Sequence, residues 1–146
     1  MSVCYAEISR LCTKCYIRFL PKSWNTERNL EGTAWGNSRG AYVLCEVSLW
    51  SQRPVLRMYA GKAPEKLRDQ LWIISRQPPF QNTQNRKANK YMSFYSVKNT
   101  ETNLKDIVLG DEDQAAKKVW DWVKSQLNED HFKKSVEIVA RHLEQL

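Results

Sequence analysis

Cysteine is scarce, at four in 146 residues, far below the density of a small secreted module held together by disulfides. A chain of this length buries roughly two thirds of its unfolded surface and needs no such staples. The N-terminus shows no basic stretch followed by an apolar run, the mark of a secretory signal. Together these point to a cytoplasmic protein with reduced thiols. No apolar run approaches the roughly 20 residues of a bilayer-crossing helix, so the sequence reads as one soluble domain over residues 1–146 with no membrane contact. Histidine is scarcer still: His131 and His142 stand eleven apart, which is not the H-x3-5-H spacing of a zinc finger. One C-x2-C pair, Cys12 and Cys15, exists without a second, leaving a composite zinc site with Cys4 or Cys45 as the alternative to plain core packing. Neither G-x-S-x-G nor a glycine-rich phosphate loop is present, for "GTAWGNSRG" lacks the Lys-Ser/Thr ending. The acidic run "GDEDQ" at 110–114 fits the first turn of a helix, where the helix dipole favours carboxylates. No catalytic residue, metal or cofactor is expected.

Acid is also missing from the middle of the chain. Of a net charge of +7, residues 53–98 carry ten Lys/Arg against two Asp/Glu, whereas residues 99–146 carry seven against ten. A local excess of this kind attracts polyanions by Coulomb steering, although a solvated surface also accommodates it.

Periodicity supplies the elements. Cys4, Ile8, Cys12, Cys15 and Phe19 fall on one helical face, which predicts an N-terminal helix over 4–20 ended by Pro21, with the cysteines sealing it onto a sheet. "GAYVLCEVSLW" at 40–50 alternates, with Ala41, Val43, Cys45, Val47 and Leu49 on an apolar face. It reads as a strand, with "VLRMYA" at 55–60 as its antiparallel partner. Pro64 opens a short helix with the stripe Leu67, Leu71 and Ile74. "YMSFYSV" gives a third strand. Asp111 and Asp130 cap two closing helices, the first with Ala116, Val119, Val123 and Leu127 inward, the second with a near-heptad stripe of Phe132, Val136, Val139, Leu143 and Leu146. That last stripe offers either intramolecular packing or a homodimer seam. The fold class is α+β: a small antiparallel sheet of about three strands packed against an N-terminal helix, a central short helix and two C-terminal helices.

Residues 76–90, "RQPPFQNTQNRKANK", have no periodicity, four basic residues and no acid. A loop this long inside a small domain is either functional or disordered. Basic residues across the middle alternate with aromatics, and cations bind phosphates while flat rings stack on exposed bases. The candidate residues for binding nucleic acid or a partner are Trp35, Arg39, Arg53, Arg57, Lys62, Arg76, Phe80, Arg86, Lys87 and Lys90. Many of the aromatics must also build the core of so small a domain.

From "GTAWGNSRG" through "LWII" the order of features resembles the C-terminal region of uncharacterised prokaryotic proteins of the PD-(D/E)XK nuclease superfamily. A Gly/Trp segment leads there into a strand pair, a G-x-x-P-E-x-x-R turn (Gly61, Pro64, Glu65 and Arg68 in this chain), a helix, a Lys-rich loop, an aromatic strand and an acidic helix. The resemblance spans about residues 19–143. The catalytic E-x-K triplet of that superfamily has no match, because Glu46-Val47-Ser48 lacks the lysine and Glu65-Lys66 lies at a helix start. The resemblance implies the appended C-terminal part standing alone, and with the basic, aromatic middle the reading is a non-catalytic nucleic-acid-binding module, accessory to a nuclease or a prokaryotic defence system. The alternative, reached by elimination, is a protein-binding inhibitor from a phage or mobile element that blocks a host CRISPR or restriction complex. The expected partner is accordingly nucleic acid or a nucleic-acid-processing protein complex.

Overall fold

A computed structural model describes residues 3–8, 16–32, 40–49, 53–82, 84, 87–88, 90–100 and 112–146. Five strands, β1 (Val3–Ile8), β2 (Tyr16–Pro21), β3 (Val43–Ser48), β4 (Val55–Ala60) and β5 (Met92–Lys98), form an antiparallel meander in the order β1-β2-β3-β4-β5. A one-turn α1 (Glu27–Leu30) follows β2, α2 (Glu65–Ser75) links β4 to β5, and α3 (Glu112–Leu127) and α4 (Asp130–Glu144) close the chain. The protein is therefore α+β, as its periodicities require. Among the described residues no helix is long and apolar enough to cross a membrane.

The alternation read from the sequence sets the register. Val43, Cys45 and Val47 pair with Ala60, Met58 and Leu56, and Phe19 lies opposite Cys45. These side chains form one face of the sheet and join Leu67 and Leu71 of α2, Val119 and Val123 of α3, and Phe132, Val136, Val139 and Leu143 of α4 in a single core. Each fully buried aliphatic or aromatic side chain there stabilises the fold by about 1.5–3 kcal/mol. Of the near-heptad stripe, Phe132, Val136, Val139 and Leu143 of α4 are buried in this core, and Leu146 packs partly buried against it. Asp130 begins α4 as its first residue while Glu129 takes the cap position. Asp111 lies outside the described residues.

The N-terminal helix is the main correction. Residues 3–8 and 16–21 are strands, and 9–15, with Cys12 and Cys15, lie outside the described residues. The helical spacing from Cys4 to Phe19 is coincidental with a stronger preference: "VCYAEI" and "YIRFLP" are rich in β-branched and aromatic residues, which fit a pleated surface. Pairing with β3 decides the matter, because it aligns Ile17 and Phe19 with the core residues Val47 and Cys45. It also sets Arg18 directly opposite Glu46, and the Arg18 Nε donates to Glu46 Oε2 at 3.0 Å. That ion pair lets a carboxylate sit 8% exposed on the sheet's second face, where opposite charges across strands are favourable. β3 is consequently buried along its whole length, on both faces, as its central place in the sheet dictates.

Two polar side chains join the outer pieces to this core. Trp24, fully buried, donates from its indole Nε1 to the Val136 carbonyl at 3.0 Å, fastening the turn after β2 to α4. Asn29, also fully buried, donates through Nδ2 to the carbonyls of Trp24 (2.8 Å) and Val43 (3.1 Å) and accepts from the Val43 amide at 3.0 Å. Backbone packing is correspondingly close: a Cβ on Gly32 would stand 2.3 Å from the Ala41 carbonyl carbon, so only glycine fits.

Asn29→Ala strands buried donors and acceptors on β3 and the preceding turn, and each such orphan costs about 1–3 kcal/mol. Urea denaturation is expected to show a loss of about 3 kcal/mol, and a loss below ~1 kcal/mol would show that the amide is not a structural tie.

Candidate nucleic-acid interface

Strand alternation sends Leu56, Met58 and Ala60 of β4 into the core and leaves Arg57 and Tyr59 on the opposite face. Ser93 of β5 pairs with Tyr59 next to a register shift between Met58 and Tyr59. The loop after α2 then brings Gln84, Ala88 and Tyr91 up to the same strands. Together Arg57, Tyr59, Ser93, Gln84, Ala88 and Tyr91 line an open cleft of about 290 Å³. Tyr91 is 46% exposed. Burial pushes the Tyr59 phenol above its ordinary range, against the opposing pull of neighbouring Arg57, so at neutral pH the ring is uncharged. An uncharged ring beside a fixed cation suits a ligand that is flat and apolar on its faces and anionic nearby.

The loop that forms one wall is held by side chains rather than by periodic backbone bonds. Arg68, 5% exposed on the inner side of α2, donates through Nη1 to the carbonyls of Gly61 (2.6 Å) and Lys90 (2.7 Å), and through Nη2 to that of Ala88 (2.6 Å). A guanidinium presents its donors as a rigid fork, so one residue bridges three chain positions. Asn82, also buried, donates to Ser75 Oγ (3.1 Å) and the Ser93 carbonyl (3.3 Å), and its Oδ1 accepts from the Gln84 amide at 3.0 Å. Lys87 pairs with Glu65 Oε1 at 2.9 Å and with Asp69. The segment read as functional or disordered is thus ordered at its described positions.

The ten residues singled out from the sequence meet different fates. Arg57 lies in the cleft. Arg76 caps the end of α2, donates to the Gln84 carbonyl and stacks its guanidinium 5.1 Å from the Trp72 ring centre. Lys62 and Lys90 are exposed. Arg53 donates to the Thr100 carbonyl, at the far end of β4 from the loop. Lys87 is present at the wall, but its charge is engaged by two carboxylates. Phe80 is a correction: it is 2% exposed and packs on Phe94 with ring centres 6.1 Å apart, so it anchors the loop in the core instead of offering a ring to a ligand. Trp35, Arg39 and Arg86 lie outside the described residues. Tyr59 and Tyr91, two of the aromatics interleaved with the basic residues, and Gln84 and Ser93 also line the cleft but are not among the ten, although the i, i+2 spacing of Arg57 and Tyr59 on a predicted strand already places them on one face.

Among the described residues no group of three or more His, Cys, Asp or Glu is gathered to hold a metal ion. Cys45 is fully buried, and burial raises its thiol well above the ordinary value. His131 packs on Tyr95, its Nδ1 2.8 Å from the phenol oxygen. Burial also holds that phenol above its ordinary range. No family model, curated protein or solved structure matches the chain. The likeness to the nuclease superfamily therefore rests on its motif alone, and here the motif has a structural account: Arg68 clamps Gly61 while Glu65 receives Lys87.

Arg68→Lys replaces a fork by a single ammonium and leaves carbonyls of the loop unpaired. A stability loss of about 2–3 kcal/mol is expected, with faster hydrogen exchange at Ala88 and Tyr91, and unchanged exchange there would refute the clamp. The Lys87 tether has its own pH window. Its hydrogen bond holds the Asp69 carboxyl below the ordinary 3.8, and the same bond holds the Lys87 ammonium above the ordinary 10.5. Between those ordinary values the tether is at full strength. It is lost as pH falls through the lowered Asp69 value or rises through the raised Lys87 value, and amide exchange at Ala88 followed downward from pH 6 to below the ordinary carboxylate range, corrected for intrinsic rates, is expected to show it.

Proposed function

We propose that this protein binds nucleic acid without transforming it, laying an unpaired strand along the β4–β5 face beside the loop after α2. The observation that carries this reading is the joint placement of Arg57, Tyr59 and Tyr91 in one cleft at the centre of the most basic part of the chain. A cation and two rings in reach of one another match the alternation of phosphate and base along a single strand. Lys62 and Lys90 are exposed, the one next in sequence to the clamped Gly61 and the other with its own carbonyl clamped by Arg68. The described residues lining the cleft include no carboxylate, imidazole or thiol, which favours binding over catalysis. An accessory role beside a nuclease or in a defence complex is compatible with this chemistry.

A protein-binding inhibitor draws less support. Among the described residues the large exposed apolar side chains are Leu30, Ile73 and Tyr91, on α1, on α2 and just before β5. Apolar residues scattered singly on a surface need no partner to explain them.

Fluorescence anisotropy with labelled single-stranded oligonucleotides tests the reading. Affinity is expected to fall as salt rises, with a log–log slope of about −0.7 for each phosphate contacted, and Arg57→Ala is expected to flatten that slope. No binding in dilute salt would sink the proposal, since phosphate contacts are strongest there. Glu65→Gln combined with Asp69→Asn releases Lys87, and binding is expected to tighten about two- to fivefold, the scale of an exposed ion pair.

A further inference from the structure

We infer that the cleft takes one unpaired nucleobase and that the Gln84 carboxamide reads its edge, so that the protein selects among bases instead of following the backbone alone. This rests on the nucleic-acid reading above. The cleft itself argues for a base over a phosphate: of the six described residues lining its roughly 290 Å³, one, Arg57, carries a charge, while two are phenols, one is a carboxamide and two are the small residues Ala88 and Ser93. A phosphate track needs repeated cations. A base needs ring surface for its faces and hydrogen-bonding groups for its edge.

Gln84 is mounted for that role. Its amide N–H donates to Asn82 Oδ1 at 3.0 Å, and its carbonyl accepts from the Arg76 guanidinium. Both partners are themselves fixed, Asn82 by Ser75 and Ser93 and Arg76 by stacking over Trp72. The backbone of this cleft-lining residue is thus held on both sides, and its side chain is in none of these bonds. A group carried on a fixed mount loses less freedom on binding and tolerates fewer misplaced partners. A carboxamide offers a donor next to an acceptor, the pairing that base edges present, whereas towards a phosphate it can use its donor alone and adds no Coulomb attraction. Ala88, with its carbonyl held by Arg68 Nη2 at 2.6 Å, keeps that wall low, so a larger side chain there would occupy the space of the base. In a duplex the base is stacked and paired, which restricts this site to single strands or extruded bases.

The test is an amide NMR titration of the full chain with the four free nucleosides in 0.5 M salt, a condition that screens phosphate steering and a ligand that has no phosphate. Shifts are expected at Gln84, Ala88, Tyr91 and Ser93, with the best and worst nucleosides separated about tenfold, the scale of one good base-edge contact. Gln84→Ala should level that preference, and Ala88→Leu should abolish the shifts. Both positions are exposed, and dispersed spectra of each variant would certify the fold. Absence of nucleoside shifts at tens of millimolar, shifts confined to another surface, or a preference that survives Gln84→Ala would each overturn the inference. A protein that binds oligonucleotides in dilute salt yet ignores nucleosides in the cleft loses the inference and keeps the wider reading. Nucleoside shifts in the cleft with no oligonucleotide binding in dilute salt would do the reverse.

Discussion

The Arg68 guanidinium holds together what would otherwise be separate pieces. It is buried, yet its described partners are three backbone carbonyls, those of Gly61 after β4 and of Ala88 and Lys90 before β5. Carbonyl oxygens concentrated around a cation satisfy its donors, and the low local dielectric strengthens those bonds. The geometry follows: the end of β4, the inner side of α2 and the return of the chain into β5 are fixed to one planar group. The cleft of Arg57, Tyr59 and Tyr91 exists because that return is fixed.

A second tie works one strand over at the same end of the sheet, where Val43 pairs with Ala60. Asn29 imitates a strand neighbour, exchanging bonds with both the amide and the carbonyl of Val43, while Trp24 reaches the backbone of α4. Both are polar side chains buried with their bonding groups satisfied, the condition under which buried polarity specifies a structure rather than weakening it. The protein thus uses apolar layers for bulk stability and a few buried amides, one indole and one guanidinium for placement.

Charge is distributed to a similar end. The basic middle of the chain is not a uniform field: Arg68 is internal, Arg76 lies over Trp72, and Lys87 is engaged by Glu65 and Asp69. What faces a ligand is therefore a fraction of the formal charge. On the proposed reading, affinity for a polyanion would be set by the cations left to meet it, and the two carboxylates on α2 would moderate the basic loop.

The antiparallel pair of β3 and β4, the stripes of α2, α3 and α4, and the aromatic strand β5 were legible in the sequence, because burial on one face imposes a period of 2 or 3.6 that local reading detects. The N-terminal segment was not, since five residues from Cys4 to Phe19 satisfy the helical period by chance and only pairing with β3 shows which period matters. Phe80 was misplaced for a related reason: an aromatic in a polar loop looks available until the loop is seen to fold back on Phe94. The cleft was half legible, for Arg57 and Tyr59 share a face by alternation alone. By itself, then, the sequence determined the fold class, the core of the central pair and helices, and the concentration of positive charge. Which cations remain to meet a ligand, and which rings stand beside them, was decided only by tertiary structure, because hydrogen bonds and ion pairs between residues 18 and 46, 68 and 90, or 65 and 87 have no period along the chain.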